Sequence, residues 1–213
     1  PPESLVIEDQ DDPVAGPGQI LIDVKAAGIN FPDVLSIAGK YQVKMPTPFV
    51  PGNEAAGTVI GLGEGVTMFS IGDLVIINSK GGAFAEKCVA EQHMVMPLLD
   101  GLNFEQGAGF TVTYGTSYHA LRQSADLQEG ETVLVLGAAG GVGIAAVEIA
   151  KAMGARVIGA ASTDEKLEFA KQAGADELVN YSIQPLKETV KELTNGNRAD
   201  VVYDGGRGHG GGV

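Results

Sequence analysis

The chain has 213 residues, 44% of them hydrophobic, which suits one large globular domain or two modest ones and excludes a disordered protein. Its 27 acidic and 14 basic residues give a net charge of −13 that repels phosphate backbones, so we expect no nucleic-acid partner. The longest apolar run, residues 133–147, contains four glycines and is shorter than the ~20 residues of a spanning helix, so we expect no membrane span.

The first half of the chain has the pattern of short strands separated by turns. Branched residues are concentrated in four segments, with Pro-Gly and Gly-x-Gly sequences between them. The predicted strands are Ile20–Ala26, Ala55–Ile60, Leu74–Asn78 and Phe84–Ala90. This pattern predicts a β-rich, partly closed barrel.

From about Glu131 onward, strands and helices alternate. Val133–Leu136 is a continuous apolar strand, as in a parallel sheet that is covered on both faces. Further strands are predicted at Arg156–Ala160, Glu177–Val179 and Val201–Tyr203, and helices at Ile144–Met153 and Asp164–Ala173, with Thr163 as the N-cap of the second helix. The alternation predicts a doubly wound α/β unit.

The only cysteine, Cys88, rules out an internal disulfide and any zinc site that needs two or more thiolates. One thiol suits a reducing compartment, and the expected location is intracellular, in the cytoplasm or in mitochondria. Because Cys88 lies in a strand pattern, we interpret it as an inert core thiol.

The segment GAAGGVG, Gly137–Gly143, directly follows a predicted strand and opens a predicted helix. Glycines let a pyrophosphate approach the backbone, and a helix N-terminus offers free N–H groups and a partial positive charge. A packing turn that binds nothing is the alternative, but the strand, loop, helix, strand order favours a dinucleotide site. The predicted cofactor contacts in this loop are Gly140, Gly141, Val142 and Gly143.

The end of the second predicted α/β strand indicates which dinucleotide is bound. NAD sites place an acid there for the ribose 2′-hydroxyl, whereas this strand ends in residues 159–163 without one. Asp164 and Glu165 fall in the first helical turn, where they suit the helix dipole. Ser162 and Lys166 are placed to receive a 2′-phosphate, although Lys166 is alternatively an ordinary solvated residue. The pattern therefore favours NADPH.

Three segments, in this order along the chain, resemble the zinc-free quinone oxidoreductase branch of the medium-chain dehydrogenase/reductases. They are AAGINFPDVLSIAGKY at 26–41, PFVPGNEAAGTVIGLGEGV at 48–66, and VLVLGAAGGVG at 133–143 followed by Asn180-Tyr181. The resemblance covers about Leu5 to Asp204. It implies an α/β plus β-rich fold: a GroES-like catalytic domain at 1–115 and a truncated Rossmann domain at 116–204. The residues after Asp204 have no apolar pattern and predict a Gly-rich flexible tail at 205–213.

The resemblance also implies roles for individual residues. Lys166 and Tyr181 match residues that hold the NADPH 2′-phosphate, and Thr116 matches a threonine near the nicotinamide. The implied substrate-cleft and catalytic residues are Asn30, Asp33 and Tyr41. Leu35 stands where some quinone reductases have tyrosine, which leaves the shape of the substrate open.

A zinc-free mechanism is the favoured interpretation. In related alcohol dehydrogenases a cysteine and a histidine bind the catalytic zinc, and the positions that match them here are Asn30 and Asn53. Neutral amides are poor zinc ligands, and the four-cysteine structural lobe of those enzymes has no counterpart in this sequence. We interpret Glu54 as structural, and His93 and His119 as packing or hydrogen-bonding residues.

The implied activity is metal-independent hydride transfer from NADPH to a small-molecule quinone or similar electron-poor carbonyl compound. Tyr41, or a water held by Asn30, is the expected proton source. One alternative is an enone or enoyl-thioester reductase, since the tyrosine that matches Tyr41 is the proposed proton donor of related enoyl reductases. Another is a dinucleotide-binding module without catalysis. The family forms homodimers, and the association state of this chain stays open.

The C-terminal sequence leads to a further expectation. Four parallel strands are predicted, where a complete doubly wound fold has six, and GGRGHGGGV after Asp204 has no apolar pattern. We expect the strand at Val201 to lie beside the first strand with its outer edge unpaired, and the chain to be an incomplete, impaired form of the enzyme. An omitted interior stretch is the alternative. His209 fits no metal-ligand spacing.

Overall fold

A computed structural model describes residues 2–205 and divides the chain into two compact units, one ending at Val112 and one beginning at Thr113. Beyond Gly205, the tail predicted at 205–213 lies outside the described residues, as does His209. The domain boundaries at 115/116 and 204/205 stay a prediction. No helix in the described part of the chain has the length and apolar character needed to cross a bilayer.

The first unit is built on a five-stranded antiparallel sheet with the order β4-β1-β2-β3-β5. The strands are β1 (Gln19–Gly28), β2 (Glu54–Leu62), β3 (Leu74–Asn78), β4 (Lys87–Glu91) and β5 (Val95–Pro97). The two edge strands, β4 and β5, are joined by the short 3-10 helix Gln92–Met94. Because three residues reach only about 10 Å, the two edges lie close together and the sheet must curl. This confirms the predicted β-rich, partly closed barrel.

Two short helices, α1 (Phe31–Ile37) and α2 (Phe104–Ala108), belong to this unit. The next helix, α3 (Thr111–Tyr118), contains the boundary at which the second unit begins. The sequence pattern does not predict α1, because its apolar side chains Phe31 and Val34 are 49% and 41% exposed and form no core-facing stripe. Gly28, at the end of β1, lets α2 approach, since a Cβ at this position would lie 2.3 Å from the Ala108 carbonyl oxygen.

The core of the first unit is formed by buried side chains of the sheet, and it includes Cys88, the only cysteine of the chain. Its buried residues include Ile20, Ile22, Ala55, Val59, Val75, Ile77 and Cys88. Cys88 is 3% exposed, and burial raises the pKa of its thiol to about 12. The thiol therefore stays protonated and unreactive at neutral pH, in agreement with its interpretation as a core residue.

The second unit alternates strands and helices. In chain order it contains β6 (Thr132–Leu136), α4 (Gly141–Ala152), β7 (Arg156–Ala161), α5 (Asp164–Gln172), β8 (Glu177–Asn180), α6 (Leu186–Leu193) and β9 (Val201–Asp204). The four strands are parallel, in the order β8-β7-β6-β9, with Val133 opposite Val201. The doubly wound α/β unit is confirmed, and so is the expected place of the last strand beside the first.

Both faces of the parallel sheet are buried. Val133 and Val135 of β6 pack with Ala146, Val147 and Ala150 of α4 on one face. Leu134, Ile158 and Val179 pack with Val190 of α6 on the other face. Adjacent strand residues point to opposite faces, so a continuous apolar strand such as β6 requires helices on both sides.

Capping residues set the ends of α4 and α5, and Thr163 is the N-cap predicted from the sequence. The side-chain oxygen of Thr163 accepts a hydrogen bond from the Lys166 N–H at 3.3 Å and caps α5. Gly154 and Gly174, with φ of 80° and 106°, follow α4 and α5 in the left-handed region. Helix α4 begins at Gly141, three residues before the predicted start, because the glycine loop itself supplies its first turn.

Candidate functional site

The glycine loop of the second unit folds back on itself between β6 and α4. The Gly140 N–H donates to the Gly137 carbonyl at 2.9 Å, and Gly137 has a φ of 64°. A Cβ on Gly143 would lie 2.2 Å from the Gly137 carbonyl oxygen, so this turn excludes any side chain at position 143. The loop therefore places the N-terminus of α4, with its free N–H groups, at the carboxyl end of β6.

A buried hydrogen-bonded pair supports this loop from behind. The Ser117 hydroxyl donates to the Val142 carbonyl at 2.8 Å and also pairs with the Tyr203 hydroxyl at 3.0 Å. Ser117 is fully buried and Tyr203 is 6% exposed. These bonds connect the loop to β9, and buried polar groups that satisfy one another in this way hold a backbone in one position.

A groove of about 500 Å³ runs along the carboxyl ends of β6 and β7. Its lining residues come from the glycine loop, the end of β7, the first two turns of α5 and the residue after β8. They are Gly137, Ala139, Gly140, Ala161, Ser162, Glu165, Lys166, Phe169 and Tyr181. The carboxyl ends of parallel strands are where open α/β sheets bind their ligands.

Four residues predicted from the sequence as cofactor contacts line this groove together: Gly140, Ser162, Lys166 and Tyr181. The Lys166 ammonium donates to the Ser162 hydroxyl at 3.3 Å. An ammonium has three N–H donors, so this bond leaves two for a ligand. The other predicted contacts are not among the residues that line the groove: Gly141, Val142 and Gly143 form the first turn of α4, and Thr116 is exposed on α3.

Neighbouring residues hold Tyr181 in place. Its N–H donates to the Ala161 carbonyl at 3.1 Å. On one side, the Asn180 amide donates to Asp164 at 2.7 Å. On the other side, the Ser182 hydroxyl donates to the Ser162 carbonyl at 2.8 Å. Tyr181 is 44% exposed and anchored through both neighbours, which suits a residue that contacts a ligand.

Glu165 and Phe169 also line the groove, and the sequence pattern does not predict them. They lie four residues apart on α5, so they share one face of that helix. The available indication was their helical spacing from Lys166, since Glu165 is its neighbour in the chain and Phe169 follows it by three residues, close to one turn. The groove thus has a negative side chain beside its positive one.

The residues proposed for the substrate side lie in the first unit, where α1 begins near the start of β2. The Asn30 backbone N–H donates to Asp33 Oδ2 at 2.7 Å, and the Asn53 amide donates to Asp33 Oδ1 at 2.8 Å. The Asn30 amide in turn donates to Glu54 Oε2 at 2.9 Å. Gly28 pairs with Glu54 in the sheet, and this register brings the two chain segments together.

Asp33 and Glu54 are buried carboxylates, 1% and 0% exposed. Burial raises the pKa of Glu54, although hydrogen bonds from the Asn30 amide and the Val112 and Thr111 backbone act to lower it. Both oxygens of each carboxylate accept hydrogen bonds from neighbouring groups. They hold Asn30 and Asn53 in fixed orientations.

Tyr41 lies in a bend beyond α1, where it is partly exposed. Leu35 is in α1 and is also partly exposed. Within residues 2–205, no three or more His, Cys, Asp or Glu side chains are grouped so as to hold a metal ion.

Two family models match the chain, one in each half. The alcohol dehydrogenase GroES-like domain matches residues 16–120, and the zinc-binding dehydrogenase model matches residues 141–206. Both matches agree with the antiparallel sheet of the first unit and the parallel sheet of the second.

Individual relatives are similar to this chain over more than nine tenths of its length. A quinone oxidoreductase-like protein 2 homolog from Nematostella vectensis is 42% identical over 94% of this chain and 55% of its own length. A probable oxidoreductase from Mycobacterium abscessus is 41% identical with a TM-score of 0.90, over 94% of this chain and 64% of that one. The Escherichia coli quinone oxidoreductase, solved as a complex with NADPH, is 35% identical with a TM-score of 0.84, over 93% and 60%.

The chain thus spans between about half and two thirds of the length of these relatives. Each half matches its own family model, and the matched relatives share both halves in the same order. These comparisons confirm the family resemblance of the three sequence motifs. The chain belongs to the medium-chain dehydrogenase/reductase superfamily, among relatives that are named quinone oxidoreductases.

Proposed function

We propose that this protein is an NADPH-dependent oxidoreductase that transfers hydride to a quinone or a similar electron-poor carbonyl compound. The observation that carries the proposal is the groove at the carboxyl ends of β6 and β7, in which Lys166, Ser162 and Tyr181 converge beside the glycine loop. The relative from Escherichia coli, of similar fold, was solved with NADPH.

The residues present fit a dinucleotide. The place that a Cβ of Gly143 would fill is taken by the Gly137 carbonyl, and Gly140 lines the groove with no side chain in the way. Such a loop gives a pyrophosphate access to the N-terminus of α4. Lys166 and Ser162 offer N–H and O–H donors, and Tyr181 a third donor, for a 2′-phosphate.

Bound NADPH would supply the hydride, so the chain's own residues need only bind and orient the reactants and deliver a proton. We propose that the Tyr41 hydroxyl delivers the proton to the substrate. The Asn30 side chain is proposed to hold the substrate by a hydrogen bond. Asp33 and Glu54 are positioning residues in this proposal, since both are buried and hold Asn30 and Asn53 by hydrogen bonds. Thr116 is assigned to the nicotinamide side, as the resemblance implies.

The test is the oxidation of NADPH by the protein with a panel of quinones, enones and enoyl thioesters. We expect turnover with quinones, and a Tyr41→Phe variant at least about 100-fold slower with unchanged NADPH affinity, since the hydroxyl acts only in proton transfer. Turnover of enoyl thioesters alone, lost in Tyr41→Phe, would assign the protein to the double-bond reductases. NADPH binding without turnover of any acceptor would make it a binding module.

The proposed activity requires no metal. Asn30 and Asn53 stand where related enzymes have zinc ligands, and each amide nitrogen donates a hydrogen bond to a buried carboxylate. We expect elemental analysis of protein purified without chelator to find less than about 0.1 zinc per chain, because neutral amides are poor zinc ligands. One zinc per chain, retained after dialysis, would overturn the metal-free mechanism.

A further inference from the structure

Two charged side chains of opposite sign, Lys166 and Glu165, line the nucleotide groove next to each other. Neither forms an ion pair with another residue in the range 2–205. Lys166 donates to Ser162, and both Lys166 and Glu165 are exposed. The fields of both charges therefore act on whatever occupies the groove.

The acids that flank Glu165 on α5 are engaged elsewhere. Asp164 accepts a hydrogen bond from the buried Asn180 amide at 2.7 Å, which turns this carboxylate toward β8. Glu168 accepts from Gln172 at 3.4 Å and is not among the groove residues. Among the acids of α5, Glu165 is the one that lines the groove.

A carboxylate at this position distinguishes the two nicotinamide dinucleotides. The 2′-phosphate of NADPH carries about −1.5 to −2 charges at neutral pH and is repelled by a neighbouring carboxylate. The 2′-hydroxyl of NADH is neutral and can donate a hydrogen bond to a carboxylate. Glu165 thus opposes Lys166 for NADPH and favours NADH.

We propose that Glu165 is a specificity-determining residue that limits the preference of this groove for NADPH over NADH. This proposal rests on the proposed function, since it requires that the groove bind these dinucleotides. The glycine loop, Lys166 and Tyr181 account for dinucleotide binding. Glu165 would determine how strongly the groove prefers NADPH over NADH.

The experiment is calorimetric titration of the protein and of Glu165→Gln with NADPH, NADH, adenosine 2′,5′-bisphosphate and AMP. The matched control is Glu168→Gln, which removes the same charge from the same helix one turn further on, outside the groove. In Glu165→Gln we expect NADPH and the bisphosphate to bind roughly 3- to 10-fold more tightly, and NADH and AMP to bind equally or more weakly. In about 0.5 M salt the gain should shrink, because salt screens exposed charges.

An equal gain in Glu168→Gln would overturn the proposal, since it would show an effect of net charge alone. No gain in Glu165→Gln, or the same gain for NADH as for NADPH, would overturn it as well. If the unsubstituted protein binds neither dinucleotide, the proposed function itself fails, and the proposal for Glu165 falls with it. Binding of NADPH by the unsubstituted protein is therefore measured first.

Discussion

Replacing Gly143 with alanine is expected to lower the free energy of unfolding by about 3 kcal/mol, near the top of the range for overpacked sites. The added Cβ would lie 2.2 Å from the Gly137 carbonyl oxygen and 2.9 Å from the Ala138 Cα. These are backbone atoms at the turn that forms the cofactor loop, so the loop must move to admit the methyl group. We therefore also expect Gly143→Ala to bind NADPH too weakly to measure.

Gly140→Ala is the matched control for the effect on stability. Gly140 has a φ of −76° and a ψ of 162°, which alanine adopts readily, and its Cβ would lie 3.4 Å from the Gly137 carbonyl oxygen. Denaturant unfolding should show Gly140→Ala within about 1 kcal/mol of the unsubstituted protein. Equal unfolding free energies for the two variants would contradict the tight turn at Gly143.

Lys166→Ala is expected to weaken NADPH binding by about 10- to 30-fold while changing NADH binding by less than about twofold. A hydrogen bond to a charged group contributes about 1.5–3 kcal/mol, and we take the lower end, about 1.5–2 kcal/mol, because Lys166 is exposed. Calorimetric titration of both dinucleotides at one salt concentration measures the effect. Lys171→Ala, at the other end of α5 and outside the groove, is the control and should leave both affinities unchanged.

A parallel loss of NADPH and NADH affinity in Lys166→Ala would mean that the lysine supports the fold of the groove and does not contact the 2′-phosphate. Loss of NADPH affinity in Lys171→Ala as well would indicate long-range attraction by positive charge. Either result would contradict the proposal that Lys166 binds the 2′-phosphate of NADPH.

Local chemistry explains why the second unit could be predicted from its sequence. The loop Gly137–Gly143, the Thr163 cap and the end of α5 at Gly174 depend on residues close together in the chain. Because β6 is apolar along its whole length, the sequence predicted a parallel sheet with helices on both faces. The pairing of β9 with β6 was also predicted. Helix α6 was not predicted, although Leu186, Val190 and Leu193 have helical spacing and pack under the sheet.

The hydrogen-bonded carboxylates of the first unit could not be predicted in the same way. Glu54 meets Asn30 because Gly28 pairs with Glu54 in the sheet, and strand register depends on the whole fold. From the sequence alone, Glu54 was a single acid with no identifiable hydrogen-bond partner. The roles of Glu165 and Phe169 depend likewise on which face of α5 borders the groove, and residue type alone does not determine this.

The most direct test of the account is calorimetric titration of the unsubstituted protein with NADPH and NADH in the same buffer, one after the other. If the groove beside the glycine loop receives the 2′-phosphate on Lys166, Ser162 and Tyr181, NADPH binds about tenfold more tightly than NADH, and adenosine 2′,5′-bisphosphate competes with it. Equal affinities, tighter binding of NADH, or no binding of either dinucleotide would contradict the assignment of this groove as an NADPH site.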